Sequence, residues 1–142
     1  MGAMRTVATL LASVSLAGCG AGALVDPNSM AGNYALSSVQ GAPLPYLVGD
    51  GPPSTTLTAG TLTLTTSGRW SESRTYSQID NGQATTVTQT DAGRWLRSGA
   101  TGIVLVSVSE TTAYSGTWTG LALRLTRPGG FSGKAPEYVF AK

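Results

Sequence analysis

The stretch "TLTLTTSGRWSESRTY", Thr61–Tyr76, contains two alternating segments joined by a turn. In Thr61–Thr65 the leucines lie on one face and the threonines on the other, which is the pattern of a half-buried β-strand. Thr66-Ser67-Gly68 has the composition of a tight turn. Arg69–Tyr76 then alternates again, so this stretch predicts two consecutive β-strands.

The chain from Ala31 onward has the same character. Threonine and valine are frequent, turn signals recur every eight to twelve residues, and no segment keeps a helical apolar period over three turns. Asn81-Gly82 predicts a tight hairpin. Further strands are predicted at Asn33–Val39, Thr85–Thr90, Arg94–Arg97, Ile103–Val108, Tyr114–Thr119, Leu121–Thr126 and Tyr138–Ala141. The fold predicted is all-β, a small antiparallel up-and-down β-barrel of eight or nine strands. A β-sandwich is the alternative. It would be established if the first and last strands did not pair with each other.

A weak repeat places glycine two residues before an aromatic side chain. It occurs at Gly68–Trp70, Gly93–Trp95 and Gly116–Trp118, about 24 residues apart, with Gly32–Tyr34 as a fourth member. If each glycine opens every second strand, the aromatic side chains gather at one end of a closed meander and plug it. Two other interpretations stay open: such pairs are common in β-proteins, and Asp91–Gly93 would also fit a bulge inside one long strand.

One face of the strand Arg69–Tyr76 carries the candidate ligand-binding residues. If that face points into the barrel, a charged pair flanked by aromatic rings lies in a site of low dielectric, suited to a small amphipathic ligand. In that case Arg74 would meet an anionic group. If the face points outward, Glu72 and Arg74 form a solvated pair instead. The candidate residues are Trp70, Glu72, Arg74 and Tyr76, together with Trp95 and Trp118 of the repeat.

The composition argues against several chemistries. The chain has no histidine, which removes Ser-His-Asp and Cys-His arrangements and the commonest ligand for transition metals. Its carboxylates are few and scattered, and it has no glycine-rich phosphate loop. After loss of Arg5 with the signal described next, eight basic and seven acidic residues remain, so no basic surface favours nucleic acid. We therefore expect no enzymatic activity, cofactor, metal site or nucleic-acid partner.

The N-terminus has the three parts of an export signal. Arg5 supplies a positive charge, Val7–Ala17 is an apolar run of about eleven residues, and small residues follow. A membrane-spanning helix needs roughly twenty apolar residues. Residues 1–18 are therefore predicted to be a removable signal peptide.

Leu16-Ala17-Gly18-Cys19, which contains the single cysteine of the chain, resembles the lipobox of bacterial lipoproteins. The resemblance implies cleavage before Cys19, lipidation of its thiol and attachment to a membrane. Residues 19–30 would then form a lipidated, flexible tether and residues 31–142 the barrel domain. Gly20 is not the aspartate that retains some lipoproteins in the inner membrane, so the address implied is the outer membrane, facing the periplasm. The alternatives are an ordinary secretory peptide cut near Ala21 or Ala23, and the short myristoylation pattern of residues 1–6.

Small exported bacterial proteins of the lipocalin-like, calycin type share a second set of short motifs. This chain is similar to them at Gly32–Leu36, Gly60–Leu64, Gly68–Trp70 and Tyr138–Phe140. The resemblance implies an antiparallel barrel, and many proteins of this kind have no assigned activity.

The function predicted is non-enzymatic binding of a small apolar or amphipathic ligand at the envelope. The alternative is a structural or protein-interaction module whose barrel is filled by its own side chains, because an eight-stranded barrel can do either. The proline-rich segment Gly41–Ser54 would lie over one mouth of the barrel, as a lid or as a plain connection. Gly129–Pro136 has a similar composition.

Overall fold

The structure is a computed structural model that describes residues 27–108, 113–128 and 135–142. Cys19, the signal segment and most of Gly129–Pro136 lie outside the described residues. The elements are one helical turn, α1 (Pro27–Met30), and ten strands, β1 (Gly32–Val39), β2 (Ala42–Pro43), β3 (Tyr46–Gly49), β4 (Ser54–Leu64), β5 (Arg69–Asp80), β6 (Gln83–Ser98), β7 (Gly102–Ser107), β8 (Ala113–Trp118), β9 (Ala122–Thr126) and β10 (Glu137–Ala141).

Strand β1 closes the sheet into a barrel because it pairs on both edges. Its first half, from Gly32 to Ala35, pairs with β4, and its second half, from Ala35 to Val39, pairs with β10. The other barrel strands pair with their neighbours in chain order, all antiparallel. The result is an eight-stranded up-and-down barrel plus two short strands, β2 and β3. The predicted fold is confirmed, and the β-sandwich alternative is wrong because the first and last strands pair.

Strand β6 is longer than the sequence pattern indicated. Thr85–Thr90 and Arg94–Arg97 were expected as two strands, or as one long strand with a bulge at Asp91–Gly93. They belong to one strand without a bulge, because its pairing with β5 has no register shift from Arg69 opposite Arg94 to Asp80 opposite Gln83. A continuous twelve-residue partner keeps β6 extended through the polar residues in its middle. The Asn81-Gly82 hairpin is confirmed: both residues have positive φ, 49° and 77°, as its two-residue turn requires.

The two ends of the barrel differ. We call the end where β1 begins the lower end and the end where it finishes the upper end. At the upper end a flap extends past the barrel, formed by β3, residues 54–59 of β4, residues 75–80 of β5 and residues 83–90 of β6. Strand β7 pairs with β6 only from Gly93 to Ser98, so it does not reach the flap.

The Gly41–Ser54 segment contains β2 and β3. Its Leu44 and Tyr46 side chains pack against the hydrophobic core, whereas Leu47 and Val48 are exposed. Strand β2 pairs with the end of β1, and β3 pairs with the start of β4. The segment therefore lies at the upper end of the barrel.

The lower end is closed by the chain before β1. Met30 is completely buried, the Tyr34 hydroxyl donates to its carbonyl at 2.5 Å, and Lys142 Nζ donates to the Ser29 carbonyl at 2.9 Å. Met30 was expected in the tether. Its burial shows that the packed domain begins before Ala31.

Each glycine of the repeat was expected to open a strand, but not all of them do. Gly93 and Gly116 lie inside β6 and β8, and Gly93 is directly opposite Trp70 on β5. A Cβ atom at Gly93 would overlap the Val106 carbonyl and lie 2.9 Å from Trp70 Nε1. This glycine is needed for the close approach of backbone and indole.

We expect Gly93→Ala to lower the free energy of unfolding by at least about 2 kcal/mol, because the added methyl group overpacks the barrel wall. Gly49→Ala is the matched control, since Gly49 also lies in a strand but has open space around its Cα. Denaturant unfolding of both variants measures the difference. Equal stability of the two variants would contradict the close packing at Gly93.

Candidate functional site

The aromatic and charged face of β5 points into the barrel. Trp70, Glu72, Arg74 and Tyr76 are 2%, 5%, 6% and 9% exposed. The intervening Ser71 is exposed on the other face. Of the two orientations that the sequence left open, the inward one is present, and the charged pair is buried.

The buried charges compensate each other. Arg74 Nε lies 3.2 Å from Glu72 Oε1, and the Tyr114 hydroxyl donates to Glu72 Oε2 at 3.0 Å. Both carboxylate oxygens therefore have a partner. Because an unpaired buried charge is costly, these contacts are what allows Glu72 and Arg74 to share the core.

Aromatic rings and a second guanidinium surround the pair. Tyr114 packs edge-on against Trp70 and against Tyr138, with centroids 5.9 and 6.5 Å apart. Arg74 lies over the Tyr138 ring at 5.8 Å, and Arg127 lies over the Tyr114 ring at 5.4 Å. We call Glu72, Arg74, Tyr114, Arg127 and Tyr138 the interior cluster.

Sequence reasoning missed Tyr114, Arg127 and Tyr138, which come from other parts of the chain. A signal existed for Arg127, because it continues the inward alternation of Leu123 and Leu125. Nothing local connects these residues to Glu72. Only closure of the barrel brings β8, β9 and β10 across from β5.

Burial is the largest single influence on the pKa of Glu72, Arg74 and Tyr114. It raises the pKa of the Glu72 carboxyl, an effect that the Arg74 guanidinium and the Tyr114 hydrogen bond oppose without cancelling. Burial also raises the pKa of the Tyr114 hydroxyl, and the Glu72 carboxylate adds to that increase. For Arg74, burial lowers the pKa, but the Glu72 carboxylate and the neighbouring tyrosines outweigh it, so the pKa is raised.

A second carboxylate balances the charge near the cluster. Asp91 lies opposite Glu72 in the β5–β6 ladder and acts on its ionisation. Asp91 Oδ1 accepts from the Ser107 hydroxyl at 2.6 Å and from the Ala92 amide at 2.8 Å. Two guanidinium groups thus stand beside two carboxylates.

The remaining candidates, Trp95 and Trp118, lie at the lower end and not beside the charged pair. Trp95 Nε1 donates to the Thr65 carbonyl at 2.9 Å, and the Trp118 amide donates to the Thr101 carbonyl. The six candidate residues therefore fall into two groups, and these two indoles are part of the packing that fills the lower end.

The outer wall carries a shallow hollow of about 420 Å³, where β7 ends beside β6. Hydroxyl-bearing side chains such as Thr61, Ser73 and Thr90 line it, with the exposed Val108 at its edge. The described residues contain no group of three or more side chains placed to hold a metal ion. In the described parts of the chain, no helix has the length and apolar character needed to cross a membrane.

Comparisons with protein-family models, with curated proteins and with solved structures found no match to this chain. The class of protein rests on the geometry alone. It is a closed, eight-stranded antiparallel β-barrel with a buried ion pair inside.

We expect Glu72→Leu to lower the free energy of unfolding by about 3–5 kcal/mol, because it leaves the Arg74 charge buried without a carboxylate. Glu137→Leu is the matched control: Glu137 also lies 3.2 Å from an arginine, Arg124, but that pair is exposed and contributes less than about 1 kcal/mol. In the double variant with Arg74→Met, most of the loss should be recovered, as measured by denaturant unfolding. A double variant no more stable than Glu72→Leu would contradict this account of the pair.

The raised pKa of Glu72 predicts a pH dependence of stability. A carboxyl whose pKa is higher in the folded state binds more protons there, so its contribution to stability falls as pH rises from the ordinary value of about 4.3 through the raised one. The unfolding free energy of the natural chain should therefore fall relative to that of Glu72→Gln over this range. Unfolding curves at several pH values test this, with Glu137→Gln as the control for loss of a carboxylate. A difference that grows in favour of Glu72 with rising pH would show that pairing outweighs burial.

Proposed function

We propose that this chain is a non-enzymatic lipoprotein of the bacterial envelope whose barrel is filled by its own side chains and serves as a structural or protein-interaction module. In this proposal the lipid is on Cys19 and the address is the outer membrane, facing the periplasm. The finer likeness to lipocalin-type barrels belongs to the same proposal.

The interior cluster is the observation that favours a structural or protein-interaction module over a ligand-binding protein. A binding site for an amphipathic ligand needs a charge that the ligand can neutralise. Here Arg74 already meets Glu72, and Arg127 and Asp91 stand nearby with opposite charges. Among the described residues, seventeen buried hydrophobic residues, Tyr114 of the cluster included, form the core, which favours a solid scaffold.

The N-terminal residues support the anchor. Residues 1–18, followed by Cys19, resemble a lipoprotein signal peptide, and the helical turn α1 leads into the barrel at its lower end. The tether predicted from the sequence, within residues 19–30, would then join the lipid to the lower end of the barrel. The flap, at the upper end, is the part farthest from the attachment point.

A second function, binding of a small amphipathic molecule, is favoured by the chemistry of the upper half of the barrel. Arg74 there is surrounded by the rings of Tyr76 and Tyr138, and the Leu44 and Tyr46 side chains cover the adjacent core. A ligand anion that replaced the Glu72 carboxylate at Arg74 would be enclosed by these rings. The two functions differ in whether the purified protein holds a molecule.

We expect the full chain with Cys19→Ser, produced in an exporting bacterium, to be released from the membrane fraction that holds the natural chain. Its native mass should be a whole multiple of its denatured mass, because no ligand is bound. A stoichiometric adduct that is lost on denaturation, absent from Arg74→Gln and retained by the exposed-site control Arg94→Gln would overturn the filled barrel in favour of ligand binding. Circular dichroism of each variant first establishes that it is folded. A Cys19→Ser chain that stays with the membranes would overturn the anchor.

A further inference from the structure

The flap leaves one long strand edge uncovered. The upper part of β6, Gln83–Thr90, pairs with β5 on one side, while β7 stops lower down. No strand of the described residues pairs with the other side of this segment. Among the described residues, the other strands of the closed barrel have neighbours on both sides, so this segment is the exception.

Two observed contacts show which residues of upper β6 point their backbone N–H and C=O groups away from β5. Asp80 and Gln83 form the pair that closes the hairpin, and the Ala92 carbonyl accepts from the Val108 amide on the β7 side. Along a strand, the N–H and C=O groups of successive residues point to alternate sides. The N–H and C=O groups of residues 84, 86, 88 and 90 therefore point away from β5, toward the uncovered side.

This edge lacks the usual protection against pairing. Edge strands are normally short, charged, interrupted by proline or bulged. The sequence "QATTVTQT", Gln83–Thr90, has no charge and no proline, and its register with β5 is unbroken. The opposite edge of the flap, β3, is protected, because it has only four residues, an irregular register and two prolines shortly after it, Pro52 and Pro53.

We propose that the uncovered edge of β6 binds the same edge of a second copy of this chain, antiparallel, about a twofold axis through Val87. This inference rests on the proposed interaction module and names its partner. Residue 84 of each copy would pair with residue 90 of the other, and residue 86 with residue 88. All four outward-pointing residues of both copies are then satisfied, by eight backbone hydrogen bonds.

The limits of the edge favour a second copy over an unrelated strand. The edge of β6 without a described partner begins after the Asn81-Gly82 turn. It ends at Ala92, whose carbonyl already accepts from the Val108 amide. A symmetric partner has the same length and fills it without leftover groups. The pairing also sets Thr86 against Thr88 and Val87 against Val87, with no like charges opposed. Together the two flaps form one sheet of eight strands.

The test is sedimentation of the full chain with Cys19→Ser over a concentration series. We expect a dimer, and loss of the dimer in Thr88→Pro. Proline at this position removes an N–H that points away from β5 and leaves the β5–β6 ladder intact. Thr88→Ala, which keeps the N–H, should remain dimeric. Circular dichroism and thermal unfolding of Thr88→Pro establish that the barrel is folded.

Cross-linking then tests the register. In the Cys19→Ser background, Val87→Cys places the two thiols directly opposite each other, where antiparallel Cα atoms are about 4.5 Å apart. Mild oxidation should give a covalent dimer for Val87→Cys and not for Thr85→Cys, which faces Gln89 of the other copy.

Three outcomes would overturn the inference. They are a monomer at every concentration, a dimer unaffected by Thr88→Pro, and a monomer whose edge holds a foreign peptide that is lost in Thr88→Pro. A peptide on the edge would be lost in Thr88→Pro and retained by Arg74→Gln, whereas a ligand inside the barrel would be lost in Arg74→Gln. Failure of the dimer and failure of the filled barrel are therefore distinguishable.

Discussion

The rest of the structure depends on the two-sided pairing of β1. Because β1 gives its first half to β4 and its second half to β10, eight strands close around a single interior. Closure gives hydrogen-bond partners to the backbone N–H and C=O groups that would otherwise lie at two open sheet edges. It also gives each alternating strand a buried side, so that hydroxyl-rich segments with few large apolar residues can still share one core.

The same closure accounts for the ion pair in that core. Glu72 and Arg74 are two residues apart on one strand and must lie on the same face. Once that face is inside, both charges lose water, and Tyr114 from β8 supplies the missing donor to the carboxylate. The upper part of β6 extends above the barrel, and the backbone groups of every second residue there point away from β5.

Local patterns accounted for much of the fold and little of the site. Strict alternation at Thr61–Tyr76 and the Asn81-Gly82 turn identified strands and a hairpin, because period and turn geometry are local properties. The sequence left open whether Asp91–Gly93 separates two strands or lies inside one. Pairing with β5 decides for one long strand. Among the candidate residues, the β5 side chains lie together inside, whereas Trp95 and Trp118 are packed at the lower end. The partners Tyr114, Arg127 and Tyr138 had no signal linking them to Glu72.

The sequence by itself determined which residues share a strand face and where the chain turns, because both follow from the two-residue repeat and the backbone preferences of asparagine and glycine. It left open which face of β5 is buried, since alternation is symmetric about the sheet. Only the tertiary structure decided that: closure places the Trp70 face inside, with Tyr114 to complete the polar contacts. The uncovered edge of β6 is likewise decided by the tertiary structure, because among the described residues β7 ends while β6 continues.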